Sequence, residues 1–209
     1  MSISKSSTKI ANYLLETGAV KFSPDKPFIW ASGLESPIYC DNRVLLSYPN
    51  IREAIIDQFV AKIKEKYPDV EAIAGVATAG IAHGALIASK MDLPFAYVRP
   101  EPKKHGMKNQ IEGKLLANSK VVVIEDLIST GMSSLKAVDA LREYGVKVEG
   151  LASIFTYGFN KSKNAFKESN CDYFTLAVLE DLLAAANELN YLTPEQIDKT
   201  KAMLASLDS

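Results

Sequence analysis

Hydrophobic positions along the chain follow helical spacing in some stretches and continuous apolar runs in others. Ile10 and Leu14 share one face of a helix expected over about residues 8–17, and Gly18 supplies the left-handed stop. The next stretch, FSPDKPFIWASGLESPIYCDNR, has three prolines and several aromatics, a turn chemistry that predicts short strands and loops. Pro49 then opens a second helix in which Ile51, Ile55, Phe59 and Ile63 recur at helical spacing. An apolar run over 70–77 ends in Thr78-Ala79-Gly80, and a helix of small residues, GIAHGALIASK, leads to the short strand FAYVR. After a polar loop come the strand VVVIED, a helix near 133–144, the strands VEGLASIFTY and YFTLAVL, and two helices near 179–189 and 194–207.

Continuous apolar strands alternating with helices imply an α/β fold, with a mostly parallel central sheet covered on both faces. Right-handed crossovers bring the loop after each strand to one edge, and ligands in such folds sit outside the carboxyl ends of the strands. The segments after Ala77, Val98 and Ile124 are therefore the ones to interrogate.

Composition narrows the class. The 209 residues, 47% hydrophobic and 23% charged, suit a globular chain that buries its own core, and the absence of repeats or linkers predicts one domain over 1–209. A formal net charge of -1 gives no global attraction to nucleic acid, so no such partner is expected. Cys40 and Cys171 lie far apart in no metal-ligand spacing, and with two histidines they make none of the usual zinc patterns. They are expected as buried thiols in a reducing compartment. No signal-like apolar run opens the chain and no stretch approaches the roughly 18 apolar residues of a membrane span. A cytoplasmic protein without membrane contact is the expectation.

The segment after Ile124 carries the most chemistry. Glu125-Asp126 is followed by Leu127-Ile128-Ser129-Thr130-Gly131-Met132-Ser133-Ser134 and then a helix. A Ser/Thr/Gly turn feeding a helix presents unpaired N–H groups at the positive end of the helix dipole, an arrangement suited to phosphate. Two acids beside it suit hydroxyl groups or a cation that accompanies the phosphate, so a sugar phosphate is indicated. A plain N-cap next to solvated acids has the same local composition and competes with that reading. Neither a P-loop Gly-Lys-Ser/Thr nor GxGxxG after a strand occurs.

The whole stretch VVVIEDLISTGMSS resembles the motif with which type I phosphoribosyltransferases bind 5-phosphoribosyl-1-pyrophosphate (PRPP). The resemblance implies that Thr130, Gly131, Met132 and Ser133 hold the 5′-phosphate, that Glu125 and Asp126 face the ribose hydroxyls, and that Leu127, Ile128 and Ser129 complete the loop. Two further segments point to the orotate phosphoribosyltransferases. YVRPEPKKHGMKNQIEGK carries Arg99, Lys103, Lys104, His105 and Gly106 in the pattern of that family's catalytic loop. In the family this loop reaches the neighbouring subunit's site, which implies a homodimer. SGLESPIYCDNR is similar to the family's N-terminal hood, here about residues 20–45, and places Tyr39 and Cys40 near the base.

Thr78-Ala79-Gly80 resembles the family's pyrophosphate loop without its Tyr-Lys pair. Pro100 and Ala31 stand where many members have lysines, and Phe155-Thr156-Tyr157 lacks an arginine used on the orotate carboxylate, for which Arg43 is a substitute alongside Ser129. The resemblance covers about residues 8–190. It implies a type I phosphoribosyltransferase fold and the conversion of orotate and PRPP to orotidine 5′-monophosphate and pyrophosphate, with Lys103, His105 and Asp126 catalytic. Mg2+ would arrive with PRPP and take no direct ligand from the protein. A PRPP-sensing regulator and a purine phosphoribosyltransferase share the fold and remain the competing readings. For Trp30 and Tyr39 core packing competes with a role at the base. Cys40 is expected as a small buried hydrophobe and His83 as a hydrogen-bonded structural residue.

Overall fold

The computed structural model describes residues 5–30, 33–101 and 110–208. Helix α1 (Lys5–Glu16) buries Ile10, Ala11, Leu14 and Leu15. Four short strands follow, β1 (Val20–Phe22), β2 (Phe28–Ile29), β3 (Glu35–Ser36) and β4 (Ile38–Cys40). β1 pairs antiparallel with β4, and β2 with β3, so the proline-rich stretch makes two small ribbons beside the main sheet. A 3-10 helix (Asn42–Ser47) leads into α2 (Pro49–Lys66), where Ile55, Phe59 and Ile63 are buried as the spacing predicts.

The alternating part of the chain then runs β5 (Ala72–Val76), α3 (Ala79–Met91), β6 (Phe95–Val98), β7 (Ile111–Glu112), β8 (Lys120–Ile128), α4 (Met132–Tyr144) and β9 (Lys147–Thr156). It ends with α5 (Asn160–Glu168), β10 (Tyr173–Val178), α6 (Leu179–Glu188) and α7 (Pro194–Leu207). The described strands of the main sheet lie in the order β10-β9-β8-β5-β6-β7, parallel except where β7 pairs antiparallel with β6. This is the mostly parallel sheet that the alternation of apolar runs and helices predicts.

Successive residues of β8 face opposite layers. Val122 and Ile124 pack with α1, α2 and α6 side chains such as Leu14, Phe59 and Leu182, while Val121 and Val123 pack with Val138 and Leu141 of α4. Each such aliphatic side chain, once fully buried, contributes roughly 1.5–3 kcal/mol by leaving water. The strand is thus packed on both faces up to Glu125, and its carboxyl end emerges from the core. α5 and β7 were not expected from the sequence pattern.

Candidate active site

The site is made where β8 outruns its neighbour. β5 stays in register with β8 only as far as Gly75 opposite Ile124, whereas β8 continues beside β9 until Ile128 faces Thr156. Glu125 and Asp126 therefore stand just past the end of β5, still in strand conformation. Beyond β5 the chain turns through a cis Ala77–Thr78 peptide into α3. The helix start is pressed against β8 so closely that a Cβ on Gly80 would fall 2.3 Å from the Ile124 carbonyl oxygen. Only glycine allows that approach.

On the other side, Gly131 turns the chain with φ 81 and ψ -3, and α4 begins without a side-chain cap. The first-turn N–H groups have no acceptor within the helix and point where the helix dipole favours an anion. They border a cavity of about 340 Å³, lined by Ala77, Thr78, Ala79, Glu125, Asp126, Leu127, Ser129, Thr130, Gly131, Ser133 and Ser134. The loops after β5 and β8 meet here, as the sheet topology requires.

The two acids differ in setting. Glu125 is buried, with Oε2 accepting from the Ser134 hydroxyl at 3.4 Å and Oε1 accepting from the Asp126 N–H at 3.1 Å. Burial pushes its carboxyl well above the usual range, and the charge of Asp126 adds to the shift. Asp126 is half-buried, and burial raises it as well. Burial thus favours the neutral form of both carboxyls, more strongly for Glu125, the more deeply enclosed of the two. Two adjacent carboxyls at the cavity edge suit a vicinal diol.

Across Leu127 and Ser129 lies a second cavity of about 230 Å³, lined by Ile29, Trp30, Tyr39, Cys40, Leu127, Ser129 and Tyr157. The Trp30 and Tyr157 rings stand 5.3 Å apart, and the Trp30 indole N–H donates to the Ile38 carbonyl at 3.0 Å. Its aromatic walls suit a flat heterocycle. A third cavity of about 290 Å³ shares Ala77 and Ser133 with the first and is bordered by Arg99 and Lys136. Arg99 reaches Glu112 at 3.4 Å.

The expected residues divide as follows. Thr78, Ala79, Glu125, Asp126, Leu127, Ser129, Thr130, Gly131 and Ser133 meet around the first cavity, and Tyr39 and Cys40 join Ser129 at the aromatic one. Tyr39 is 42% exposed, so its place is the cavity wall and not the core. Ile128 is fully buried in the layer beneath α4, and the Met132 side chain faces solvent, which leaves these two residues their main chain for any contact. Arg43 is not among the residues lining the aromatic cavity; its guanidinium pairs with Asp41 at 2.7 Å and is mostly exposed. Lys103, Lys104 and His105 lie outside the described residues.

Both cysteines are free thiols; Cys171 is buried, whereas Cys40 is only half-buried and turns its sulfur towards Asn42. The expectation for His83 needs correction. Its ring is fully buried with the main chain of Asn42 beside it, yet neither nitrogen makes a well-formed hydrogen bond among the described residues, and burial lowers its pKa to about 4. Sequence reasoning missed Asn42, Ser134 and Tyr157. Ser134 is the last residue of the quoted motif but was given no role there, while nothing local marks Asn42.

Comparison with known proteins bears on this geometry. The phosphoribosyl transferase domain family matches residues 45–187. Orotate phosphoribosyltransferase of Listeria innocua is 51% identical over 201 residues, covering 96% of this chain and 95% of that protein. The protein of the same name from Cytophaga hutchinsonii is 51% identical over 189 residues, 90% of each. Among solved structures, orotate phosphoribosyltransferase from Aeropyrum pernix superposes with a TM-score of 0.76 at 28% identity, covering 88% of this chain and 99% of that one. UMP synthase of Leishmania donovani gives a TM-score of 0.80 at 28% identity, covering 96% of this chain, which spans 42% of that longer protein.

Proposed function

The chain belongs to the orotate phosphoribosyltransferases of the phosphoribosyl transferase domain family, and on that premise we propose how its residues join orotate to the ribose of PRPP, releasing pyrophosphate and making orotidine 5′-monophosphate for pyrimidine synthesis. The observation that carries the proposal is the shared rim: Leu127 and Ser129 border both the cavity at the uncapped α4 terminus and the aromatic cavity under Trp30 and Tyr39. A sugar phosphate in the first cavity would present its reacting carbon to a flat base in the second.

The main-chain N–H groups of Thr130, Gly131, Met132 and Ser133 hold the 5′-phosphate at the α4 terminus. Glu125 and Asp126 take the ribose hydroxyls. As the bond to pyrophosphate breaks, positive charge builds on the sugar, and the Asp126 carboxylate stabilises it. Thr78 and Ala79, with Gly80 packed behind them against β8, take the pyrophosphate side together with Arg99, and Lys103, Lys104 and His105 neutralise the leaving group. Tyr39, Cys40 and Trp30 cover the base and exclude water that would otherwise capture the ribosyl cation. Ser129 is placed to bond the orotate. Arg43 would have to leave Asp41 to reach the base carboxylate.

Two carboxyls are too few to hold a divalent ion by themselves. They would fit a Mg2+ that comes with PRPP and takes its ligands from substrate oxygens and waters, with none directly from the protein. When bound, that ion supplies charge neutralisation of the pyrophosphate. No helix among the described residues is long and apolar enough to cross a membrane. The same reading makes the protein a cytoplasmic homodimer with shared sites, each chain one domain with a hood over residues 20–45. Incubation with PRPP and a panel of bases tests it: pyrophosphate should appear with orotate alone. Release with a purine base, or PRPP binding without release, would overturn it.

A further inference from the structure

Asn42 begins the 3-10 helix that closes the hood, and it is fully buried. Its side-chain amide bonds in two directions. Nδ2 donates to the main-chain carbonyl of Asp126 at 2.8 Å, and Oδ1 accepts from the Cys40 thiol at 3.5 Å. Cys40 lines the aromatic cavity, and Asp126 lines the cavity at the α4 terminus. A single amide therefore links the walls of the two cavities, at a point where β8 has run past β5 and Asp126 lacks the support of that strand. Behind it stands His83 of α3, also fully buried, with the main chain of Asn42 beside its ring. An amide confined in this way has no water to bond with if it rotates, so the two contacts hold its orientation.

We propose that Asn42 is a positioning residue, which fixes the Asp126 carboxylate relative to the base wall and so sets the alignment of ribose and orotate. The inference rests on the reading of Asp126 as the carboxylate beside the reacting ribose. A displacement of about 1 Å in such an arrangement can cost on the order of a hundredfold in rate. A side chain that acts only through the main chain of the catalytic acid should account for a smaller share.

The test replaces Asn42 in two backgrounds. Asn42→Ala removes both bonds, and Asn42→Leu removes them while filling the space, so that one folded variant is available if the cavity of the other is too costly. Single-turnover rates with saturating PRPP and orotate read the chemical step, and thermal melting reads the fold. In the wild-type background each variant should slow the step about tenfold, with the KM for PRPP changed less than about twofold. In the Asp126→Asn background the same replacements should change the remaining rate less than about twofold, because no carboxylate is left to position. A merely structural Asn42 would lower the melting temperature equally in both backgrounds and leave the rate per folded molecule alone. An unchanged rate in a folded variant, or a tenfold loss that persists with Asp126→Asn, overturns the inference and leaves the site reading intact. If Asp126→Asn alone keeps the wild-type rate, the site reading fails and takes this inference with it.

Discussion

Gly131 packs edge-on to Phe166: a Cβ added to the glycine would lie 2.8 Å from the ring's Cε2, and the glycine's φ is 81. The turn that frees the α4 terminus is thus set by a buried aromatic of α5 as well as by its own backbone. Gly131→Ala should cost stability twice, through the left-handed backbone and through the ring contact, by about 1–3 kcal/mol for the strain alone. PRPP affinity measured by calorimetry should fall at least about tenfold, since the N–H groups move with the turn. Adding Phe166→Leu should recover part of the stability without recovering PRPP affinity. Full affinity in folded Gly131→Ala would remove the phosphate from this loop.

Asp126→Asn keeps the size of the side chain and deletes its charge. The expected result is a fall in turnover of about a hundredfold or more. The melting temperature should change little, since burial already disfavours the charge. Loss of stability with activity per folded molecule intact would make Asp126 structural.

His83 gives a pH dependence of defined sign. Burial lowers its pKa from 6.5 to about 4, so between those values the unfolded chain binds a proton that the native state refuses. Stability from this residue is complete above about pH 6.5 and is lost as the pH falls to about 4, by roughly 3 kcal/mol in all. Glu125 acts in the opposite direction, because its raised pKa favours the native state on acidification. Comparing wild type with His83→Leu in denaturant titrations at several pH values isolates the histidine. The stability difference should move against the wild type below pH 6.5, and a pH-independent difference would contradict the assignment.

The alternation of apolar runs and small-residue helices made the sheet and the edge carrying the site legible, since β5 and β8 are buried on both faces and read as unbroken apolar stretches. The acid pair and the glycine turn were legible too, because strand, acids and helix start are consecutive in the chain. Helix α5 was not. Its sequence NKSKNAFKE anchors to the core mainly through Phe166, and its opening N–H groups of Asn160 and Lys161 bond to Asp208, more than forty residues away. Asn42 was illegible for the same reason: its partner, the Asp126 carbonyl, is 84 residues distant. Pro100 and Ala31 show where sequence position alone marks a change in charge without saying what replaces it.

The segment with Lys103, Lys104 and His105 is expected to complete the partner's site. Lys103→Ala and Asp126→Asn should each be inactive alone. Refolded together at equal concentration, about half the dimers are mixed, and each mixed dimer has one site with both defects and one with neither, giving about a quarter of wild-type activity. A mixture that forms heterodimers yet stays inactive would place the loop in its own subunit's site.

The most direct test of the account is a crystal structure with orotate and PRPP bound, obtained with Asp126→Asn to slow turnover. The 5′-phosphate should lie within hydrogen-bonding distance of the N–H groups of Thr130 to Ser133, with the orotate ring between Trp30, Tyr39 and Tyr157 and the ribose against residues 125 and 126. A phosphate bound away from the α4 terminus, or a base outside the aromatic cavity, would contradict it.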